Sequence, residues 1–355
     1  MSNVVLLHNP MLEYRPDSSV PINIAAAAER IAQLLGGDLR PIENAGDSPY
    51  FVPFAAVHDP LALQKGINGH GDVYGGVVKE LQHADKAVLH ALASKSAVSP
   101  IWYSRTFAEK IAGSVLPGYT TFTREDTILA YKRMKADGLN ARFKDPSNTG
   151  GLGQHLISHD NELHQLISQH GDKLSNDGIV IEADLKDHQT VTIGVTDLEG
   201  EKYSWYGRPY DVMHNDMVRF GGNELTVVRG EVSGLLAAAS TVQDQLAIEQ
   251  ANQVFEAYDV LGTRISRATL DVVQGVGSDG RFLSGVTDPS IRPSASSAAE
   301  IRAIEAFHSQ PDAWKVISRL EYDYSRDQPI EAGSSRELFL GHSRMNIFVE
   351  LIEVV

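Results

Sequence analysis

Leu139-Asn140-Ala141-Arg142-Phe143-Lys144-Asp145-Pro146 runs directly into Ser147-Asn148-Thr149-Gly150-Gly151-Leu152-Gly153-Gln154, and this junction decides the fold. The first half alternates as a half-buried strand does, with Ala141 and Phe143 on one face and Arg142 and Lys144 on the other. Pro146, which has no N–H to give a ladder, ends it. Lys144 therefore stands at a strand end against a glycine-rich loop. With no side chains in the way, the N–H groups of Gly150, Gly151 and Gly153 can converge on phosphate oxygens, and the ammonium adds a compact point charge. A polyphosphate site and an ordinary flexible turn both fit this pattern. A Walker loop does not, because no Gly-Lys-Ser/Thr follows. A dinucleotide fingerprint does not either, because its glycines would open a helix at once.

The flanks read as alternating helices and strands. Before the junction, the Thr123 hydroxyl followed by Glu125 and Asp126 starts a helix that runs to Lys135 and stops at Asp137-Gly138. After it, the pattern predicts a helix from about His159 to Gln169, then a nearly all-apolar strand, Gly178 to Leu185, and an alternating one, Thr190 to Thr196. Residues 208–222 mix Arg, Asp, Asn, His and Gly without a period, which predicts a long loop of the kind that holds substrates. Gln243 to Leu261 is the longest predicted helix. At the N-terminus, a strand at Val4 to Leu7, a helix over Ile22 to Leu35 and a strand near Leu39 to Ile42 begin an α/β unit.

Two later strands, Ile265 to Val273 and Arg281 to Thr287, are joined through Ser278-Asp279-Gly280. With Asp279-Gly280 as the central pair of a two-residue turn, Ser278 faces Arg281, and counting back places Asp271 opposite Asp288. Carboxylates facing each other at about 5 Å between Cα atoms repel unless something positive lies between them. A divalent cation with oxygen ligands suits that position.

Composition narrows the function. The 355 residues allow two or three subdomains, and 42% apolar with 22% charged residues is an ordinary globular balance. The net charge of −15 argues against nucleic-acid binding and against an anionic membrane surface, so an anionic ligand needs a local cluster of cations. With no cysteine there is no disulfide framework, thiolate nucleophile or thiolate metal site. No apolar run reaches a membrane span, and Met1-Ser2-Asn3 leads into a strand rather than a signal peptide, so a soluble cytoplasmic protein is expected.

A strand ending in Lys144 and Pro146, a glycine-rich loop and a helix opening on Ser158 and Glu162 resemble the nucleotide-clamping subdomain of the ATP-grasp superfamily. Tyr50-Phe51-Val52-Pro53, Tyr74-Gly75-Gly76-Val77-Val78, Val115-Leu116-Pro117-Gly118 and Val227-Val228-Arg229-Gly230 resemble, in that order, a bacterial family of unknown function assigned to it. The likeness extends from about residue 50 to about residue 310. It implies an α/β, ATP-grasp-like fold in three parts: an N-terminal α/β domain at 1–113, a small clamping subdomain at 114–200, and a larger mixed subdomain at 201–355 that carries metal and phosphate. ATP and magnesium are the implied cofactors. Lys86 and Lys144 fall on the phosphates, Glu182 and Leu185 on the adenine hinge, and Asp271 and Asp288 on the metal.

Asp288-Pro289-Ser290-Ile291-Arg292 matches the superfamily's metal-strand run except that serine replaces asparagine, and His188-Gln189-Thr190 stands where a ribose-binding acid is common. The implied chemistry joins a small-molecule carboxylate to an amine or other nucleophile, with Arg267 or Arg292 on the developing charge. A kinase on the same scaffold, and a nucleotide-binding module without catalysis, are the alternatives. The stretch from Ile317 to Val355 carries no motif; a strand or packing role is expected for it, which leaves a homo-oligomer open.

Overall fold

The computed structural model describes residues 2–8, 20–148, 152–326 and 336–355, which form four sheets. At the N-terminus the strands Val4–Leu7 and Tyr50–Pro53 pair in parallel, with the helix Val20–Leu34 packed against them. The strand expected near Leu39 shrinks to a single bridge between Leu39 and Val4. The chain turns away directly afterwards, since Ile42–Asn44 form a 3-10 turn behind Pro41 and offer no further ladder bond. A short three-stranded sheet of Arg264–Ile265, Gly76–Val78 and Val57–His58 follows.

The junction around Lys144 lies in a four-stranded antiparallel sheet, ordered Gly118–Thr121, Ile179–Ala183, Ala141–Lys144, Gln154–Ile157. Helices Arg124–Ala136 and Asp160–His170 supply Ala130, Met134, Leu163 and Ile167 to a core shared with Ala141, Phe143, Ile179 and Ile181. The first helix is capped as its sequence requires, Thr123 Oγ1 accepting from Asp126 N at 3.1 Å. One strand was not anticipated. Gln154–Ile157 pairs back onto Ala141–Lys144, so the glycine loop joins two strands rather than a strand and a helix. The helix waits for its own cap, His159 Nδ1 accepting from Glu162 N.

The second large sheet has eight strands, all antiparallel, in the order Phe282–Ser290, Arg267–Gly277, Leu185–Leu198, Glu201–His214, Met217–Arg229, Lys315–Asp323, Met345–Val354, Arg336–His342. It is buried on both faces in the middle. Tyr203 and Trp205 join one core under the helices Val20–Leu34 and Ser297–Ser309, while Tyr206 and Val228 join another under Val242–Ala257. Alternation of side chains along each strand produces this division. Leu185–Leu198 belongs to this sheet although it lies within 114–200, and a single residue, Asp184, separates it from Ile179–Ala183 of the other sheet. The motif-free C-terminal stretch completes the far side of the sheet as strands, as expected of it.

Residues 208–222 are not a loop. They form most of a long hairpin whose turn, Asn215-Asp216, has two consecutive positive φ angles of 51° and 57°. This is the backbone of a type I′ turn, which matches the twist of its strands. The composition hid the hairpin because the arm is largely exposed and lacks a core-facing period.

The hairpin between Arg267–Gly277 and Phe282–Ser290 also differs from the count. Gly277 N–H donates to Arg281 O, and Gly280 has φ +84°, so three residues rather than two form the turn. Every pair from Val276↔Phe282 to Val272↔Val286 is one residue off the expected register. A bulge then leaves Thr287 unpaired and restores Asp271↔Asp288. The expected pair is present, reached by two shifts that cancel.

Candidate functional site

The cleft between the four-stranded and eight-stranded sheets gathers most of the residues singled out in the sequence. Lys144, at the end of its strand, is buried and its ammonium donates to Glu182 Oε1. Arg142, not Lys144, is opposite Glu182 in the ladder, so the lysine reaches diagonally to the acid two positions along the neighbouring strand. The other oxygen, Oε2, is 2.9 Å from Nε2 of His90, which is buried and whose carbonyl accepts from Tyr103 Oη at 2.6 Å. Burial opposes ionisation of Glu182, but Lys144 and His90 outweigh it and hold the carboxyl below its ordinary range. Leu185, expected at the adenine hinge, is buried in the core of the four-stranded sheet. Nothing in the sequence pointed to His90, 92 residues from its partner.

Lys86 reaches the same cleft from a separate segment, which packs against both the four-stranded sheet, where Thr120 Oγ1 donates to the Ala87 carbonyl at 2.8 Å, and the strand of Asp288. It opens a short 3-10 turn, Lys86–Val88, whose first free N–H, that of Ala87, is capped by Asp85 Oδ1 at 2.7 Å. Although buried, its ammonium lies 3.3 Å from Asp288 Oδ2 and donates to the Asn148 carbonyl at 2.8 Å, at the entrance of the glycine loop. Gly153 closes the loop's other side. Its φ is +65°, and a Cβ there would stand 2.7 Å from the Asn148 amide, so glycine is needed twice over. Gly150 and Gly151 lie outside the described residues.

Asp271 faces Asp288 across the ladder and accepts from Thr192 Oγ1 at 2.7 Å. Burial, with the Asp288 charge adding to it, pushes the Asp271 carboxyl up to about 6, against the pull of Thr192, Lys86 and Lys144. Asp85, on the Lys86 turn, is likewise raised well above its ordinary value by burial. Ser290, two residues beyond Asp288 and on the same face of the strand, has a buried hydroxyl with no partner among the described residues. Magnesium is usually held by one or two carboxylates together with substrate phosphates. Two carboxylates and an orphaned hydroxyl on one strand face fit that requirement, and no larger cluster of His, Asp and Glu exists among the described residues. Gly285 fixes where this strand runs: a Cβ there would stand 2.2 Å from Leu116 N, so the chain entering the four-stranded sheet lies directly on the metal strand.

The two arginines proposed for the developing charge part company. Arg267 is fully buried, and its guanidinium is taken up by Glu300, the Arg292 carbonyl and Ser294 Oγ at 2.8 Å. Tyr74 Oη and Thr196 Oγ1 hold the same Glu300, and the guanidinium lies over the Tyr74 and Trp205 rings. With no exposure and these bonds all made to the protein, Arg267 sits in the core rather than at the surface of the cleft, unlike the catalytic position expected for it. Arg292 is half-buried, and its Nη1 donates to the Pro293 carbonyl at 2.9 Å.

Several solved structures share this fold. The biotin carboxylase domain of the Hydrogenobacter thermophilus 2-oxoglutarate carboxylase, a dimer with MgADP, ADP and bicarbonate, superposes with a TM-score of 0.59 at 12% identity over 99% of this chain and 86% of that one. N5-carboxyaminoimidazole synthetase from Staphylococcus aureus gives 0.53 at 11% identity, over 99% and 93%. D-alanyl-alanine synthetase A from Vibrio cholerae gives 0.53 at 11%, over 85% and 93%. No functionally curated protein matches the sequence. The fold is that of the ATP-grasp proteins. Within it, the chain belongs to the family described as "Protein of unknown function (DUF3182)", whose model matches residues 17–346. Among the described residues, no helix is long and apolar enough to cross a membrane.

Proposed function

We propose that the protein is an ATP-dependent ligase that joins a small-molecule carboxylate to an amine or another nucleophile through an acyl phosphate. The observation that carries this reading is the meeting of Lys86, Lys144, Glu182, Asp271 and Asp288 in one cleft, with two lysines from separate segments and two carboxylates facing each other on paired strands. ATP-grasp neighbours named as ligating enzymes support the same kind of chemistry. In this reading ATP lies between the two large sheets, its adenine at the Glu182–Leu185 hinge and its phosphates against Lys144, Lys86 and the glycine loop.

The substrate carboxylate attacks the γ-phosphorus and ADP leaves with the bridging oxygen; the nucleophile then attacks the acyl carbon and inorganic phosphate departs. Magnesium, held by Asp271 and Asp288 with Ser290 nearby, would offset phosphate charge. Lys86 and Lys144 position the phosphates and stabilise the equatorial oxygens, and Arg292 is the remaining guanidinium near the metal strand. Glu182 keeps Lys144 aimed, and Lys144 with His90 keeps Glu182 ionised. The first step needs no base, because a carboxylate is already a nucleophile; in the second, the proton that an amine loses leaves on the departing phosphate.

The test is product analysis with ATP, magnesium and a matrix of carboxylic acids and amines. A ligase releases ADP and inorganic phosphate only when both an acid and a nucleophile are present. ADP formed without inorganic phosphate, with a phosphorylated product, would replace this reading by a kinase.

A further inference from the structure

Lys86 spans the cleft in a way that Lys144 does not. The Lys144 pair is internal to the four-stranded sheet, so breaking it separates nothing. The Lys86 ammonium instead touches Asp288 on the eight-stranded sheet and the Asn148 carbonyl on the glycine loop. A cation arriving at Asp288 would compete for the oxygen that Lys86 already holds.

We infer that Lys86 is a latch: in the nucleotide-free protein its ammonium holds the place of the metal's charge on Asp288 and ties the glycine loop across the cleft through Asn148. It leaves both when metal and nucleotide arrive together. Metal alone would have to evict a buried ammonium that has no anion to move to. Nucleotide alone would bring phosphates beside Asp271 and Asp288, whose charges repel them. When both arrive, the metal takes Asp288 and the ammonium turns to a phosphate oxygen, so each ligand pays less in the presence of the other. By linkage the enhancement is the same in both directions. The inference rests on the proposed nucleotide site but not on ligation, because no turnover is involved.

The experiment compares wild type with Lys86→Met by titration calorimetry, using magnesium alone, a nonhydrolysable ATP analogue alone, and both. Hydrogen exchange is followed at residues 145–148 and 152–154. Wild type is expected to bind magnesium alone at least tenfold more weakly than Lys86→Met, and the variant's loop to exchange faster without ligand. Lys86→Arg, which keeps a cation of similar reach, should restore slow exchange. Equal magnesium affinity in the two proteins, or unchanged loop exchange in Lys86→Met, overturns the latch. Should Lys86→Met fail to fold, Asp288→Asn takes its place for the loop, and exchange at 145–148 no faster than wild type overturns the inference. If analogue with magnesium binds neither protein, the nucleotide reading falls, while loop exchange still decides the latch.

Discussion

Two ionic knots lie on the same strand and have opposite characters. Around Arg267 the guanidinium, Glu300, Tyr74, Thr196 and Ser294 use up one another's hydrogen-bonding capacity with no exposure at either charged residue. Four residues further along, Asp271 meets Asp288, Lys86 and Thr192, yet the Asp288 side chain keeps 31% exposure and Ser290 has an idle hydroxyl. A saturated knot can only hold the fold; an unsaturated one, with an opening, can take a ligand. Sequence shows an arginine and an aspartate four positions apart and cannot say which is which, because saturation depends on residues from distant elements.

The contrast can be broken most sharply at its saturated end. Arg267→Met should cost about 3–5 kcal/mol, because it leaves Glu300 charged and buried without its partner. A loss below about 1 kcal/mol in chemical denaturation would mean that the knot is not structural. Next in size is Lys144→Ala. Its loss should weaken binding of an ATP analogue by about 1.5–3 kcal/mol, the range for a charge-assisted hydrogen bond. It should also destabilise the fold, since buried Glu182 would retain only His90. Unchanged affinity in calorimetry would remove Lys144 from the site.

Asp271 offers a test in pH. Its folded carboxyl, near 6, lies above the unfolded value of about 4, so protonation favours the fold. The contribution of Asp271 to metal-free stability should therefore be greatest below about pH 4, fall as pH rises to about 6, and level off above it. Asp271→Asn should remove that fall and gain about 1–2 kcal/mol at pH 8 without metal. The same change should abolish the added stabilisation from magnesium with nucleotide. A melting temperature that falls equally in variant and wild type between pH 4 and 6 would assign the dependence elsewhere. The smallest effect belongs to Thr192→Val: without its hydrogen bond the Asp271 carboxyl should rise by roughly half a unit, moving the pH midpoint of metal-dependent binding up with it. A downward shift, or none, would show that Thr192 does not steady the metal strand.

What sequence made legible follows from range. Lys144 at a strand end and the helix capped by Thr123 are written in neighbouring residues, and local alternation and capping suffice to see them. Lys86, Glu182 and the acids came through the superfamily likeness, with the hairpin count agreeing on Asp271 and Asp288. The strand Gln154–Ile157 escaped because four residues carry too short a pattern, and the 208–222 arm because an exposed hairpin has no buried face to give it a period. His90 and Glu300 were beyond reach: each matters only through a partner more than 30 positions away. That Arg267 turns inward to Glu300 was hidden for the same reason.

The unpaired Thr287 gives its strand one residue to spare. Val272↔Val286 is followed by Asp271↔Asp288, with Thr287 outside the ladder between them. Deleting Thr287 would therefore close the ladder directly and leave Asp288 opposite Asp271 on the same face, losing only the local bend and twist that a bulge gives. Loss of one paired residue between Phe282 and Val286 could be absorbed as well, Thr287 sliding into the ladder in its place. A second loss has no such reserve: with the turn fixed, Pro289 would come opposite Asp271, and Asp288 would turn to the other face of the sheet, toward the helix Val242–Ala257. Single deletions over these six residues should therefore occur in relatives that keep the facing pair, and double ones should mark copies that have lost it.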